Sequence, residues 1–186
     1  MNTLTLICWV ISIYFLLAFV IPAIIVPNLF LYKTKTKVTS KKLKDKIKQL
    51  NKIKDDEKFI KAVFLYVAKR YKIAHNPITF ILNLPRLFWH NPNKIIEREN
   101  EIAYCHVQDL MIKTILLESK RFKESDIKRK ITFSMVIHQH LQVMVNGKKV
   151  NLDPWGYNEG VPYGKYLSTY TYFKYRKNRN LKIKPQ

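Results

Sequence analysis

The chain has 186 residues and a formal net charge of +21, from 34 Lys and Arg against 13 Asp and Glu. This length suits one domain of ordinary size rather than two, and a hydrophobic content of 47% is too high for a largely disordered chain. The two cysteines are Cys8 and Cys105, and Cys8 lies in an apolar stretch, which excludes a secreted module held together by several disulfides.

The first 32 residues contain no Asp, Glu, Lys or Arg. Within them, residues 4–26 form an almost unbroken apolar run, long enough for the roughly 20-residue helix that crosses the hydrocarbon core of a bilayer. A cleaved signal peptide would have a basic start and a shorter apolar core, and neither is present. The sequence therefore predicts a transmembrane anchor over residues 1–32, in preference to a signal peptide or a buried core helix.

A basic segment follows the apolar run, and we assign residues 33–54 to a juxtamembrane linker. Residues 33–48 contain eight lysines and one acid, Asp45. Basic residues beside a membrane span stay in the cytoplasm, so the pattern predicts a single-pass cell-membrane protein with a cytoplasmic domain. The lysines would also contact anionic lipid head groups. Nucleic acid is a weaker candidate partner, because no zinc-finger, helix-turn-helix or RNA-binding signature accompanies the charge.

Residues 55–186 are predicted to form the domain proper, with a basic C-terminal tail. An apolar stripe with helical period indicates a helix over residues 55–72, and a second helix is predicted over residues 105–120. Between the two helices, residues 74–94 contain three prolines and are predicted as loop with short helical pieces.

A β-hairpin is the best-defined local prediction. Residues 131–145 are rich in β-branched side chains, and Asn146–Gly147 is the favoured pair for a type I′ turn. Residues 148–153 then form the return strand. Beyond the hairpin, the tail from Lys165 combines positive charge with aromatic residues, and is predicted as a last strand with a basic end or as a second membrane-surface patch.

The hairpin brings histidines close to a carboxylate. If Asn146–Gly147 is a two-residue turn, His140 lies directly opposite Asp153 on the paired strand. Because side chains two apart on a strand share a face, His138 projects to the same side and reaches Asp153 diagonally. An aspartate beside a histidine holds one ring N–H and determines the tautomer, which leaves the other ring nitrogen available for proton transfer.

Cys105 supplies a candidate nucleophile. It stands at the start of a predicted helix, where the helix N-terminus favours the thiolate over the thiol. A thiol, an imidazole and a carboxylate are together the parts of a nucleophilic system for acyl transfer. Spacing alone does not bring Cys105 to the hairpin face, since that contact depends on the tertiary fold.

Other interpretations of these residues stay open. A single cysteine on an amphipathic helix is often a small buried hydrophobic residue. His138 and His140 could instead bind a metal with Cys105 or Asp153 as a further ligand, although the spacing is not a standard zinc pattern. We assign His140 as a polar residue of the sheet, and His106 as a surface residue pointing away from the cysteine.

Two segments resemble the transglutaminase-like (papain-like) superfamily. The segment IHQHLQVMVNGKKVNLDPW is similar to that family's histidine strand, hairpin and Asp-Pro pair, and YCHVQDLMIKTILLES to its nucleophile helix. In the family the catalytic histidine precedes the aspartate by about fifteen positions, and this spacing selects His138 over His140. The resemblance covers roughly residues 55–165. It implies an α+β fold with helices packed on an antiparallel sheet, Cys105 as nucleophile, His138 as base and Asp153 as its orienting group, with no cofactor.

The sequence therefore predicts a membrane-anchored, transglutaminase-like cysteine enzyme acting on an amide bond of a protein or peptide, by hydrolysis or acyl transfer. The alternative is an inactive domain of the same fold that serves as a binding or adaptor module at the membrane surface.

Overall fold

The computed structural model describes residues 2–29, 37–74, 76–134 and 137–182. The described residues form an α+β fold in which helices pack against a three-stranded antiparallel sheet. The α-helices are α1 (Thr3–Phe15), α2 (Ile21–Ile25), α3 (Lys41–Leu50), α4 (Asp56–Arg70), α5 (Pro77–Leu82), α6 (Pro92–Ile95), α7 (Cys105–Glu118), α8 (Pro154–Asn158) and α9 (Thr169–Lys182). The strands are β1 (Ile127–Phe133), β2 (Ile137–Val145) and β3 (Lys148–Leu152), and 3₁₀ turns lie at Leu84–Phe88 and Glu124–Asp126.

The predicted transmembrane anchor is wrong. The apolar run is divided into α1 of 13 residues, a π-helical turn at Leu16–Val20 and α2 of 5 residues. Pro22 contributes to this division, because it has no amide hydrogen to donate within a continuous helix. Within the described ranges, no helix combines the length and the apolar character that a bilayer crossing requires. The cytoplasmic location inferred from the lysines stays a prediction.

The chain after α2 packs onto the domain. Val26 and Leu29 are buried, and Nη1 of Arg129 in β1 donates a hydrogen bond of 2.6 Å to the carbonyl of Asn28. The apolar N-terminal segment is thus connected at its end to the strand that lies on one edge of the sheet.

The described part of the predicted linker contains α3, a helix of the folded domain. Ser40 caps its first turn by accepting a hydrogen bond from the amide of Leu43. Leu43, Ile47 and Leu50 are buried in the core, while the lysines of α3 lie on the opposite, solvent-facing side. The lysines that suggested a linker therefore form the solvent-facing side of an amphipathic helix. Lys33 and Lys35 lie outside the described residues.

The two central helices, α4 and α7, build most of the core. The carboxylate of Asp55 caps α4 by accepting a 2.7 Å bond from the amide of Lys58. The predicted apolar stripe of α4 is buried, and it packs against α7. On its other side, α7 packs against β2, so the cysteine helix lies between α4 and the sheet.

The sheet has the order β1-β2-β3, with β2 in the centre. The predicted hairpin register is confirmed: Val145 pairs with Lys148 around a turn in which Asn146 and Gly147 have φ of 49° and 75°. These positive values are those of a type I′ turn. The single strand predicted over residues 131–145 is wrong, because that range holds the end of β1 and all of β2, which pair antiparallel.

The C-terminal tail is helical from Thr169 to Lys182. Residues predicted as a last strand form α9, whose start is capped by side-chain hydrogen bonds between Ser168 and Thr171. Before that helix, the amide of Leu167 is directed into the interior of the domain, where it takes part in the site described below.

Replacing Leu43 by Ala tests whether α3 belongs to the folded core. Leu43 has no exposed surface, so the truncation should lower the free energy of unfolding by about 2–5 kcal/mol in urea denaturation. Lys44→Ala, at the neighbouring exposed position, should change it by no more than about 0.5 kcal/mol. Equal, small effects of the two substitutions would contradict the packing of α3.

Candidate active site

Cys105 is the first residue of α7 and is half-buried. The preceding residue, Tyr104, is anchored on two sides. Its hydroxyl donates a 2.8 Å bond to the carbonyl of Phe80, and its ring stacks on Trp155 with centroids 5.9 Å apart. The start of α7 is therefore held by contacts with α5 and α8, and the amides of Val107 and Gln108 both donate to the carbonyl of Tyr104.

His138 lies between the Cys105 thiol and the Asp153 carboxylate. Its ring is 3% exposed, and Nε2 donates a 2.7 Å hydrogen bond to Oδ2 of Asp153. The His138 ring and the Cys105 thiol act on each other's pKa, which places the two side chains close together. Because Nε2 is taken by the carboxylate, Nδ1 is the ring nitrogen left for the sulfur. The structure thus brings the three sequence-predicted residues into one cluster.

Asp153 is held in place by three N–H donors. Oδ2 accepts a second hydrogen bond, of 2.7 Å, from the amide of Leu167, and Oδ1 accepts one of 2.7 Å from the amide of Gly156. A Cβ at position 156 would lie 2.6 Å from Oδ2, closer than real Cβ contacts come, so this approach requires glycine. The carboxylate is buried and both of its oxygens accept hydrogen bonds, which restricts it to one orientation toward His138.

The direct His140–Asp153 pairing predicted from simple hairpin counting is wrong. The β2–β3 ladder ends at Leu141 and Leu152, and at Asp153 the backbone leaves the strand to cap α8. His140 is buried and stacks on Tyr166, with ring centroids 4.6 Å apart and planes 3° from parallel. Burial lowers the pKa of His140 to about 4, so this ring is neutral near neutral pH.

The electrostatics of the Cys105, His138 and Asp153 cluster favour a charged thiolate and a charged imidazole. Burial raises the pKa of the Cys105 thiol, but hydrogen bonds from His106 and His138 outweigh burial and lower it to about 6. Burial opposes the charged form of His138, yet the Asp153 carboxylate raises the pKa of that imidazole well above its usual value. Likewise, the pKa of Asp153 is lowered, because the charge of His138 and the three hydrogen bonds overcome burial. A thiolate–imidazolium pair is the form expected near neutral pH.

His106 was wrongly assigned to the surface. It is 1% exposed, and its Nε2 donates a 2.7 Å hydrogen bond to the carbonyl of Leu87. It also contributes to the lowered pKa of the Cys105 thiol. Successive residues on a helix project about 100° apart, and this spacing hid the contact from sequence analysis. The one signal in the sequence was a histidine directly after the cysteine.

Asp109 and Gln139 form a second contact that sequence reasoning missed. Asp109 lies one turn after Cys105 on α7, and its Oδ2 accepts a 3.1 Å hydrogen bond from Nε2 of Gln139, the residue after His138. Both side chains are buried, and within the described part of the chain Oδ1 of Asp109 has no hydrogen-bond partner. Burial raises the pKa of Asp109 well above its usual value, and the negative charges of Cys105 and Asp153 act in the same direction.

The metal alternative finds no support among the described residues. There, no group of three or more His, Cys, Asp or Glu side chains is arranged to hold a metal ion. His90 is exposed and bonded to the carbonyl of Phe88, and His75 lies outside the described residues.

No family model, curated protein or solved structure matches the chain, so the interpretation of this site depends on its geometry and chemistry.

Asp109→Asn tests the protonation of the buried carboxyl. The folded protein keeps Asp109 protonated above about pH 4, where the unfolded chain releases the proton, so wild-type stability should fall as pH rises. The variant has no such proton. The difference between the free energies of unfolding of variant and wild type should therefore grow in favour of the variant as pH rises above about 4, by at most about 1.4 kcal/mol per pH unit.

Urea denaturation at several pH values measures this difference, with Asp45→Asn as the matched control at an exposed carboxyl. Parallel pH dependences of Asp109→Asn and wild type would show that Asp109 is ionised in the folded protein and would contradict the electrostatic account.

Proposed function

We propose that the protein is a cysteine-dependent enzyme that cleaves or transfers the acyl group of an amide bond in a protein or peptide. The observation that carries this proposal is the buried His138–Asp153 hydrogen bond next to the Cys105 thiol, whose pKa is lowered to about 6 although burial raises it, because the interactions with His106 and His138 outweigh burial. The order and spacing of these residues resemble the transglutaminase-like superfamily, which supports the same reaction class.

The first step is attack by the Cys105 thiolate on the carbonyl carbon of the amide. A carbon–sulfur bond forms, and the electron pair of the carbonyl moves onto oxygen. The amides of Cys105 and His106 at the start of α7 are the backbone donors that we assign to this oxyanion. Because the interactions with the two imidazoles outweigh burial and favour the thiolate, the nucleophile needs no further base for this step.

Collapse of the intermediate breaks the carbon–nitrogen bond. His138, protonated in the resting pair, gives the Nδ1 proton to the departing amine and leaves an acyl thioester on Cys105. Asp153 stabilises the imidazolium before this transfer and keeps Nε2 protonated throughout.

The second half-reaction regenerates the thiolate. His138, now neutral, takes a proton from a water molecule as the water attacks the thioester, and the carbon–sulfur bond breaks to release a carboxylic acid. A primary amine in place of water would give a new amide, which is acyl transfer. Water and amine use the same proton acceptor in this mechanism.

The proposal predicts an acyl-enzyme with an activated ester as a general acyl donor. In a Cys8→Ser background, in which Cys105 is the one remaining thiol, p-nitrophenyl acetate should give a burst of nitrophenolate stoichiometric with protein. Mass spectrometry should locate the acetyl group on Cys105. His138→Gln should slow acylation by roughly 10²–10⁴-fold, because the proton-transfer partner is lost.

Cys105→Ala is the control for ester hydrolysis that does not involve the site, and it should show no burst. A burst of equal size in Cys105→Ala, or full acylation of His138→Gln, would contradict the proposed enzyme. An absent burst in the Cys8→Ser protein would instead favour an inactive binding domain.

A further inference from the structure

Residues 164–168, which lie just before α9, cross one face of the sheet, and we call them the strap. At its start, Gly164 forms an antiparallel bridge with Asn151 of β3. Near its end, the carbonyl of Leu167 accepts a 2.9 Å hydrogen bond from Oγ1 of Thr132 in β1. Since β2 lies between these two strands, the strap passes over β2.

The strap accounts for the burial of His140. Side chains alternate between the two faces of a strand, so His138, His140, Gln142 and Met144 share one face of β2. Met144 is 39% exposed and Gln142 is half-buried, whereas His140 is 2% exposed. The difference is the Tyr166 ring, which lies parallel to the His140 ring with centroids 4.6 Å apart. His140 is therefore the point at which β2 holds the middle of the strap.

The next residue of the strap donates to the Asp153 carboxylate. The Leu167 amide lies 2.7 Å from Oδ2 of Asp153, the same oxygen that accepts the hydrogen bond from His138. Each donor to a carboxylate favours its charged form, and the charged form is the one that stabilises an imidazolium. Because Tyr166 and Leu167 are consecutive, a displacement of the Tyr166 ring would also displace this amide.

We infer that His140 is a positioning residue, whose ring holds the strap by stacking on Tyr166 and so keeps the Leu167 amide on the Asp153 carboxylate. The inference rests on the proposed function, since it gives His140 an effect on the reaction without contact with the reacting atoms. Nδ1 of His140 is buried and has no hydrogen-bond partner among the described residues, so stacking is the contact that joins this ring to the strap. Burial lowers the pKa of His140 to about 4, so the stacked ring is neutral near neutral pH.

The test compares variants that keep the stacked ring with variants that remove it, all in the Cys8→Ser background. His140→Phe and Tyr166→Phe keep a planar ring and should retain the parent rate of acylation by p-nitrophenyl acetate. His140→Ala and Tyr166→Ala remove a ring and should each slow acylation about tenfold, the equivalent of one pKa unit. Tyr170→Ala, at an exposed tyrosine of α9, is the matched control and should leave the rate unchanged.

Proton NMR supplies a readout that a purely structural part of His140 would not change. The Nε2 proton of His138, shared with Asp153, should resonate at low field in the parent protein. In both Ala variants it should move toward the position of an ordinary imidazole N–H. Because the two substitutions break the same stack, the His140→Ala/Tyr166→Ala double variant should be no slower than either single variant. Additive slowing in the double variant would contradict the inference.

The outcomes separate this inference from the function it rests on. Full acylation rates and an unchanged His138 signal in both Ala variants would overturn the part of His140 and leave the Cys105–His138 enzyme intact. A parent protein without a burst would overturn the enzyme, and with it the effect of His140 on the reaction.

Hydrogen exchange on the parent protein covers the case in which the Ala variants do not fold. The Leu167 amide should exchange slowly, at a rate close to those of the β2 amides, because it is bonded to a buried carboxylate. His140→Phe should preserve this protection. Fast exchange of the Leu167 amide in the parent protein would contradict the inference.

Discussion

The buried carboxylate of Asp153 is the constraint on which the site depends. It accepts hydrogen bonds from the His138 ring and from the amides of Gly156 and Leu167, which belong to three different parts of the chain. A buried carboxylate is costly unless it is paired and fully bonded, and here each donor stabilises its charge. One interaction therefore determines the turn into α8, the entry to α9 and the orientation of the imidazole. The close approach of Gly156 explains why the Asp-Pro pair is followed, after Trp155, by glycine.

The other half of the site depends on how α7 is held against β2. Core packing supplies most of that contact, and the hydrogen bond between Asp109 and Gln139 joins the positions nearest the reacting groups. Cys105 begins the helix one turn before Asp109, and His138 precedes Gln139 on the strand. The same helix–strand contact that stabilises the core thus brings sulfur and imidazole together. The Cys105 thiolate and His138 imidazolium are stable together because the negative charge of Asp153 compensates the positive charge of His138. Asp109 is neutral, so it adds no second negative charge beside the thiolate.

Local chemistry predicted the hairpin, because Asn146 and Gly147 adopt the positive φ angles that a two-residue turn requires, and such a turn determines the register. Counting strand pairs outward from the turn placed His140 opposite Asp153, which is wrong because the chain turns into α8 at that residue. The choice of His138 depended instead on the His–Asp spacing of the family that the sequence resembles. Hydropathy predicted a membrane span because it measures apolar content and not helix geometry, which changes from α to π at Leu16–Val20. The Asp109–Gln139 bond is tertiary, and no periodicity encodes it.

The central claim is that Cys105 is a thiolate because His138, held by Asp153, is its charged partner. Titration of the ultraviolet thiolate absorbance in the Cys8→Ser protein tests this claim most directly. The account predicts a midpoint at a pKa of about 6 and a clear rise of that midpoint in Asp153→Asn. A midpoint near 8.5, the value of a free cysteine, or a midpoint that Asp153→Asn does not move, would contradict it.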